Sequence, residues 1–170
     1  MKNIRLRSYK DIGSILVADG TLAPERLAEA TEIHVASNIP LGRTLVELGF
    51  ISEWDLARVI AKELGVPFIR LKSGTTPSSA IRKLDPSLMR DQHIFVLESF
   101  EGVDTLVITE PPSVEVMSEI GPFLADKVFL AVALISEVHG ILEAVVPRPE
   151  LPENDFGSVS AEDMLKGFGD

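Results

Sequence analysis

The hydrophobic positions between residues 11 and 63 recur with a helical period. Residues 11–34, DIGSILVADGTLAPERLAEATEIH, align with residues 40–63, PLGRTLVELGFISEWDLARVIAKE, at an offset of 29 residues. Because a structural unit used twice keeps its glycines and its buried positions, we interpret the alignment as a two-fold repeat. The identical pairs are Gly13/Gly42, Leu16/Leu45, Val17/Val46, Gly20/Gly49, Leu27/Leu56 and Ala28/Ala57.

Each copy of the repeat is predicted to form a helical hairpin. In the second copy, Asn38 is the expected cap of a helix that carries Pro40 in its first turn, and Gly49 is the left-handed residue that ends it. Ser52 followed by Asp55 then indicates the start of another helix. The remaining start and stop signals are Ser8 with Asp11, Gly20 and Pro24 in the first copy, and Gly65 at the end of the second.

Gly13 and Gly42 fall inside the predicted helices, where glycine costs about 1 kcal/mol relative to alanine. Two explanations are open at this point. One is close packing of one hairpin on the other, and the second is close approach of a ligand to the backbone.

After Gly65 the pattern changes to short apolar runs separated by turn signals. It predicts a strand over 66–71, two helical pieces within 79–92 broken at Asp85-Pro86, and two strands within 93–110 joined at Glu101-Gly102. A helix near 114–124 interrupted at Gly121-Pro122, a strand over 127–134 and a helix capped by Ser136 follow. The predicted core residues are Phe68, Ile69, Phe95, Val96, Leu106, Val107, Phe129 and Val132.

These elements predict an α+β fold. Residues 1–65 would form the helical tandem-repeat subdomain, and residues 66–146 a small βαββαβα subdomain on which the hairpins pack. Residues 147–170 are rich in proline and acidic residues, which is typical of a linker or a flexible acidic tail.

Composition excludes several classes of protein. The formal net charge of −10 argues against nucleic-acid binding, although the first ten residues are basic and the tail is acidic. The absence of cysteine excludes disulfides and thiolate metal sites. No apolar run is long enough to span a membrane and no signal peptide precedes the repeat, so we expect a cytoplasmic protein.

Candidate catalytic chemistry is sparse. The chain has no GxxxxGK[ST], GxSxG, HExxH or GxGxxG motif. His34, His93 and His139 lack the spacing of metal ligands, and acidic pairs such as Glu29/Glu32 have the spacing of a solvated helix face. Trp54 is interpreted as covering a core edge rather than as a docking aromatic. We therefore expect neither an enzyme nor a metal site.

The stretch LGRTLVELGFISEWDLARVIAKELGVPFIRL (41–71), followed by LDPSLMRDQHIFVLE (84–98), resembles the N-terminal domain of type II secretion and type IV pilus assembly ATPases. The resemblance covers about residues 10–146 and does not include the ATPase module. It implies a regulatory or docking element that contacts a protein partner, such as a membrane platform protein or an attached effector module. Its MshEN subfamily binds cyclic di-GMP.

That subfamily is characterised by two tandem motifs, RLGxxLLxxGLLxxxxLxxxLxxQ, separated by five residues. This chain keeps the register and the apolar positions, but Asp11 and Pro40 replace the arginines and His34 and Glu63 replace the glutamines. Cyclic di-GMP is a dianion that requires cations and paired polar groups for binding, so these four changes are expected to weaken its binding. The residues that the resemblance implies as cyclic di-GMP contacts are Ile12, Gly13, Leu16, Leu27, His34, Leu41, Gly42, Arg43, Leu45, Leu56, Ile60 and Glu63.

Two hypotheses follow from the resemblance. The first is a non-catalytic docking module that binds a protein, and the second is a cyclic di-GMP receptor with a degenerate motif over 11–34 and 40–63. A third interpretation is that the chain is a piece of a longer polypeptide whose catalytic part lies beyond Asp170.

Overall fold

A computed structural model describes residues 12–72 and 79–146. Within these ranges the chain forms seven α-helices and one three-stranded sheet, so the predicted α+β class is confirmed. The helices are α1 (Ile12–Ala18), α2 (Pro24–Ser37), α3 (Leu41–Glu47), α4 (Glu53–Leu64), α5 (Pro86–Gln92), α6 (Val114–Ile120) and α7 (Ile135–Val145); the strands are β1 (Phe95–Phe100), β2 (Val103–Ile108) and β3 (Lys127–Val132). The predicted tail over 147–170 and the predicted start at Ser8 and Asp11 lie outside the described residues.

The turns that follow α1 and α3 have the same geometry. Gly20 and Gly49 both adopt a left-handed backbone, with φ of 77° and 69°. The next residue in each turn donates its N–H to a buried leucine carbonyl, Thr21 to Leu16 and Phe50 to Leu45, both at 3.0 Å. Glycine is favoured at such a position because it has no Cβ to clash. The sequence repeat is therefore also a repeat of local geometry.

The predicted boundaries of α4 are confirmed. The Ser52 hydroxyl accepts the backbone N–H of Asp55 at 3.1 Å and donates to its carboxylate at 2.7 Å. Gly65 ends the helix with a φ of 63°. A capped start and a left-handed end satisfy backbone groups that would otherwise lack partners, and they thereby fix where α4 begins and ends.

Two predicted helix caps are wrong. Asn38 does not begin α3; it adopts φ 57° and its N–H bonds to the His34 carbonyl, so it ends α2. Asparagine tolerates the left-handed region better than most residues, which suits it to this role. Ser136 lies inside α7, whose cap position is Leu134, and its hydroxyl donates to Glu53 at 2.8 Å.

The sheet has the order β1-β2-β3. Strands β1 and β2 are antiparallel and joined by Glu101 and Gly102, both with positive φ, as the predicted tight turn requires. Strand β3 runs parallel to β2 after the crossover through α6. The short 3₁₀ turn Ser79–Lys83 and α5 match the two helical pieces predicted around Asp85-Pro86.

The predicted strand over 66–71 is wrong as a full strand. Only Phe68 bridges Val132, in parallel orientation. The Ile69 N–H donates to the Val132 carbonyl at 2.8 Å, and the Val132 N–H donates to the Pro67 carbonyl at 2.9 Å. Pro67 has no N–H to donate, which helps to keep this segment from pairing further.

The core lies between the helices and the sheet. Of the predicted core residues, Phe95, Val96, Leu106, Val107 and Val132 are fully buried. Phe68 and Ile69 are half-buried at its edge. The prediction for Phe129 is wrong because its side chain is 68% exposed on the uncovered face of β3.

Candidate functional site

A groove of about 600 Å³ runs between the helical repeat and the segment that follows β2. We call it the first groove. Helices α1, α2 and α3 supply one wall, and residues 110–116 supply the other. Its lining residues are Ile12, His34, Asn38, Pro40, Leu41, Gln92, Ile94, Glu110, Pro111, Pro112, Ser113, Val114, Glu115 and Val116.

Several residues that line the first groove occupy defined positions of the tandem motif. Ile12 and Leu41 occupy the leucine position that follows the motif arginine in the two copies. Pro40 occupies an arginine position and His34 a glutamine position. Two of the four departures from the motif, Pro40 and His34, are therefore part of the groove wall.

Glu110 joins the two walls of the first groove through hydrogen bonds to α3. Its carboxylate accepts the backbone N–H of Gly42 at 2.9 Å and of Arg43 at 3.2 Å, at the start of α3. Burial raises the pKa of this carboxyl, and the bonds from the two amides together with the nearby His34 and Arg43 oppose that rise. These amides are thus already bound to an acidic group of the chain itself.

The close approach also explains Gly42. A Cβ at this position would lie 3.1 Å from Leu56 Cδ2 and 3.2 Å from Glu110 Oε2, closer than side-chain atoms normally pack. Neither neighbour belongs to the other hairpin: Leu56 lies in the same copy of the repeat and Glu110 in the segment after β2, so the packing at this glycine is not the predicted packing of one hairpin on the other. Gly13 is buried in α1.

Most of the apolar residues predicted as ligand contacts lie in the core. Leu27 is half-buried, and Ile12 and Leu41 reach the groove while remaining at least nine-tenths buried. These side chains can shape a groove but offer little surface to a ligand. The fully buried members of the predicted set are Leu16, Leu45, Leu56 and Ile60.

The polar candidates are separated, and His34 and Arg43 hold partners within the chain. His34 contacts the Ile39 carbonyl through Nδ1 at 2.5 Å, and the Arg43 guanidinium pairs with Glu47 at 2.7 Å. Glu63 lies in a second groove of about 450 Å³ lined by Asp19 and by residues of α1 and α4. The structure brings His34 and Leu41 together but places Glu63 elsewhere.

The first groove carries acidic rather than basic groups. Apart from His34, the ionisable side chains among its described lining residues are Glu110 and Glu115. A hydrogen bond from its own backbone N–H, followed by one from Ser113, holds the pKa of Glu115 below its ordinary value, so this carboxyl is charged at neutral pH. An anion entering the groove would meet that charge, and no lysine or arginine of the described lining offsets it.

The wall formed by residues 110–116 was not predicted as part of a site. The segment ITEPPSVE (108–115) reads as a strand end, a double proline and a helix start, with nothing to indicate contact with residues near 42. That contact depends on the tertiary fold. The only signal is a glutamate placed directly before two prolines, where the chain is held extended.

Within residues 12–72 and 79–146, no cluster of three or more histidine, aspartate or glutamate side chains could hold a metal ion. Over the same residues, the helices are too short or too polar to cross a membrane.

The solved structures that resemble this chain share its fold. The structure of MshE with cyclic di-GMP superposes with a TM-score of 0.60 at 22% identity, covering 80% of this chain and 99% of that one. Two crystal forms of the N-terminal domain of XpsE give TM-scores of 0.55 and 0.58 at 24% identity, and each covers 78% of this chain.

The chain has the fold of a secretion or pilus ATPase N-terminal domain. The resemblance predicted from the sequence is thereby confirmed at the level of the fold. A curated relative, the type IV pilus assembly ATPase PilB of Myxococcus xanthus (strain DK1622), is 29% identical over 102 residues, which are 60% of this chain. The match spans 18% of that relative's length. No family model matches the chain.

Proposed function

We propose that the chain is a non-catalytic regulatory or docking domain of the secretion-ATPase N-terminal type, in which tandem helical hairpins bind a protein partner. The partner class that fits is a membrane platform protein of a secretion or pilus system, or an attached effector module. The proposal places the domain in the cytoplasm, without nucleic-acid binding and without membrane insertion.

The contact of Glu110 with the amides of Gly42 and Arg43 is the observation that carries the proposal. An anionic ligand at these amides would have to displace a carboxylate that the fold itself supplies. It would also approach the charged Glu115 and gain no cation from Pro40. These features favour a protein surface over a dianionic nucleotide as the ligand.

The shape of the first groove supports the same proposal. Ile12, Leu41, Ile94 and Val114 give it apolar walls, with a small number of polar side chains among them. Val114 is 72% exposed, so it is available to an incoming side chain. A groove with apolar walls and a few polar groups is suited to binding a segment of a protein.

A binding assay with the cytoplasmic segment of the platform protein from the same organism tests the proposal. We expect binding that Val114→Glu weakens at least tenfold, because the added carboxylate enters the groove. Val35→Glu is the matched control, since Val35 is an equally exposed valine on α2 outside the groove lining. Equal binding by both variants and the wild type, or no binding at all, would contradict this use of the groove.

A second function has one specific observation in its favour. The chain keeps the motif register of a fold whose solved example, MshE, holds cyclic di-GMP. Under this alternative the ligand binds across the repeat despite Asp11, Pro40, His34 and Glu63.

Titration calorimetry with cyclic di-GMP separates the two functions. We expect no heat of binding for the wild type at high ligand excess. The variant Asp11→Arg/Pro40→Arg, which restores both motif arginines, should gain measurable affinity because it supplies the missing cations. Micromolar or tighter binding by the wild type would favour the receptor function over the docking function.

A further inference from the structure

One face of the outer half of the sheet is uncovered. Side chains alternate between the faces of a strand, so the register places two rows of three residues on the same side. On the opposite side Lys83, from the 3₁₀ turn, bonds to Ser99 and to the fully buried Asp104. The uncovered rows, which we call the open sheet face, are Phe100, Val103 and Lys127, and Glu98, Thr105 and Phe129.

The open sheet face exposes two large aromatic side chains. Phe100 is 70% exposed and Phe129 is 68% exposed. They lie at diagonally opposite corners of the two rows, with the half-buried Val103 and Thr105 between them. Single exposed apolar residues are common, but a contiguous sheet face of this kind indicates an interaction surface.

The other two corners carry opposite charges. Glu98 and Lys127 are both exposed, and neither forms an ion pair or a side-chain hydrogen bond with any described residue. Other exposed charges of this chain do pair, such as Arg58 with Asp55 and Lys62 with Asp19. The open sheet face thus combines unpaired opposite charges with unpaired aromatic rings.

This arrangement is complementary to itself. A two-fold axis along the Phe100–Phe129 diagonal maps each phenylalanine onto its own copy and exchanges the two charged corners. In a face-to-face dimer, Glu98 would then lie opposite Lys127 of the partner subunit, and the reverse pair would form by symmetry. The strands of the two sheets would cross at a steep angle, which is one of the two common ways in which sheets pack.

We propose that the open sheet face is the site at which two copies of this chain associate, through Phe100 and Phe129 and two Glu98–Lys127 pairs. Charge complementarity selects a second copy over an unrelated partner, because the face supplies both members of each pair. The patch is small, so the dimer is reversible and forms in the micromolar range. The association is independent of the first groove and of any ligand there.

Sedimentation velocity on the full chain over a range of concentrations tests the proposal. We expect a monomer–dimer equilibrium in the wild type. Glu98→Lys alone and Lys127→Glu alone should each raise the dimer Kd by about tenfold, because each replaces two attractive pairs with two repulsive ones. The double variant Glu98→Lys/Lys127→Glu should return to within about threefold of the wild type, since the pairs re-form with exchanged signs.

Two further variants complete the test. Phe129→Ser should abolish the dimer, and Glu119→Lys, an exposed charge reversal on α6 outside the sheet, should leave it unchanged. Circular dichroism confirms that each variant is folded. A wild type that stays monomeric overturns the proposal. So does a double variant no better than the single ones, which would indicate edge-to-edge pairing along β3 or a contact elsewhere.

Discussion

The carboxylate of Glu110 lies 2.9 Å from the backbone nitrogen of Gly42, so a single contact ties the segment after β2 to the first turn of α3. The same carboxylate reaches Arg43. Backbone amides at the start of a helix can bind an external anion. Here the Glu110 carboxylate occupies these amides, and the groove beside them also contains the acidic Glu115.

Removing that acceptor should destabilise the fold. We expect Glu110→Ala to lower the free energy of unfolding by about 1–3 kcal/mol, because the N–H groups of Gly42 and Arg43 lose their partner in a partly buried place. Urea denaturation measures the change. Glu119→Ala, an exposed glutamate on α6, should stay within about 0.5 kcal/mol of the wild type. Equal effects of the two substitutions would show that the contact contributes nothing to stability.

Gly42, whose N–H donates to Glu110, gives a second prediction. Gly42→Ala should cost about 1–3 kcal/mol, because the new Cβ would crowd Leu56 and Glu110 at 3.1–3.2 Å. Gly140→Ala in α7 is its matched control, since a Cβ there has no described neighbour within 4 Å.

Helix propensity alone favours alanine at both glycines, by up to about 1 kcal/mol. Gly140→Ala should therefore be neutral or stabilising, whereas Gly42→Ala should destabilise. Thermal denaturation of the pair distinguishes crowding from propensity. A stabilised Gly42→Ala would contradict the packing explanation for this glycine.

Features set by local hydrogen bonds could be predicted from the sequence, whereas contacts between distant parts of the chain could not. The turn at Gly49 and the start of α4 at Ser52 were predictable because local hydrogen bonds decide them. Asn38 was assigned to the wrong helix because asparagine suits both a helix start and a left-handed end. Glu110 could not be found, since its partners lie 68 and 67 residues away in the chain.

The burial of residues in the sheet also could not be predicted fully from the sequence. Its strand positions follow from apolar alternation, but Phe129 was predicted to be buried and is exposed. The alternation in KVFLAVAL does not say which end of β3 is covered. Residues 131–134 are buried, whereas in residues 127–130 only Val128 and Leu130 pack against the core, and Phe129 lies on the open sheet face.

Protonation of His93 should couple stability to pH. Burial, aided by the nearby Arg43 and His139 and opposed by Glu47, lowers the pKa of His93 to about 4 from an ordinary 6.5. Between these values the unfolded chain binds a proton that the native chain does not. Stability therefore falls as the pH drops from 6.5 towards 4, by about 3 kcal/mol in total from this group.

Urea titrations at several pH values test this coupling. His93→Asn is the reference variant, because asparagine does not titrate and tolerates the positive φ of 49° at this position. The wild type should lose stability relative to the variant across the window. Parallel curves for the two proteins would show that His93 does not titrate as its burial implies.

The ion pair of Lys83 with Asp104 should be strongly coupled. Asp104 is fully buried, and although burial raises its pKa, hydrogen bonds from Lys83, Ser99 and the Ala125 N–H outweigh it and lower the pKa. Lys83→Met should cost about 3 kcal/mol, because it leaves a buried charge without its cation.

The double variant Lys83→Met/Asp104→Asn supplies the control for that ion pair. It should be more stable than Lys83→Met alone, since the stranded charge is gone. Chemical denaturation of the wild type, Lys83→Met, Asp104→Asn and the double variant gives the coupling free energy between the two residues. A coupling near zero would mean that the pair acts as an ordinary surface contact.

The first turn of α7 is hydrogen-bonded both to α4 and to the segment that follows α4. The Glu53 carboxylate, in the first turn of α4, accepts from the backbone and the hydroxyl of Ser136, and Glu137 accepts from Arg70 and from the Leu71 N–H. Beside them, Phe68 bridges Val132. These bonds anchor the first turn of α7 both to α4 and to the segment that follows α4, so a shift of α4 would have to break them or move α7 with it.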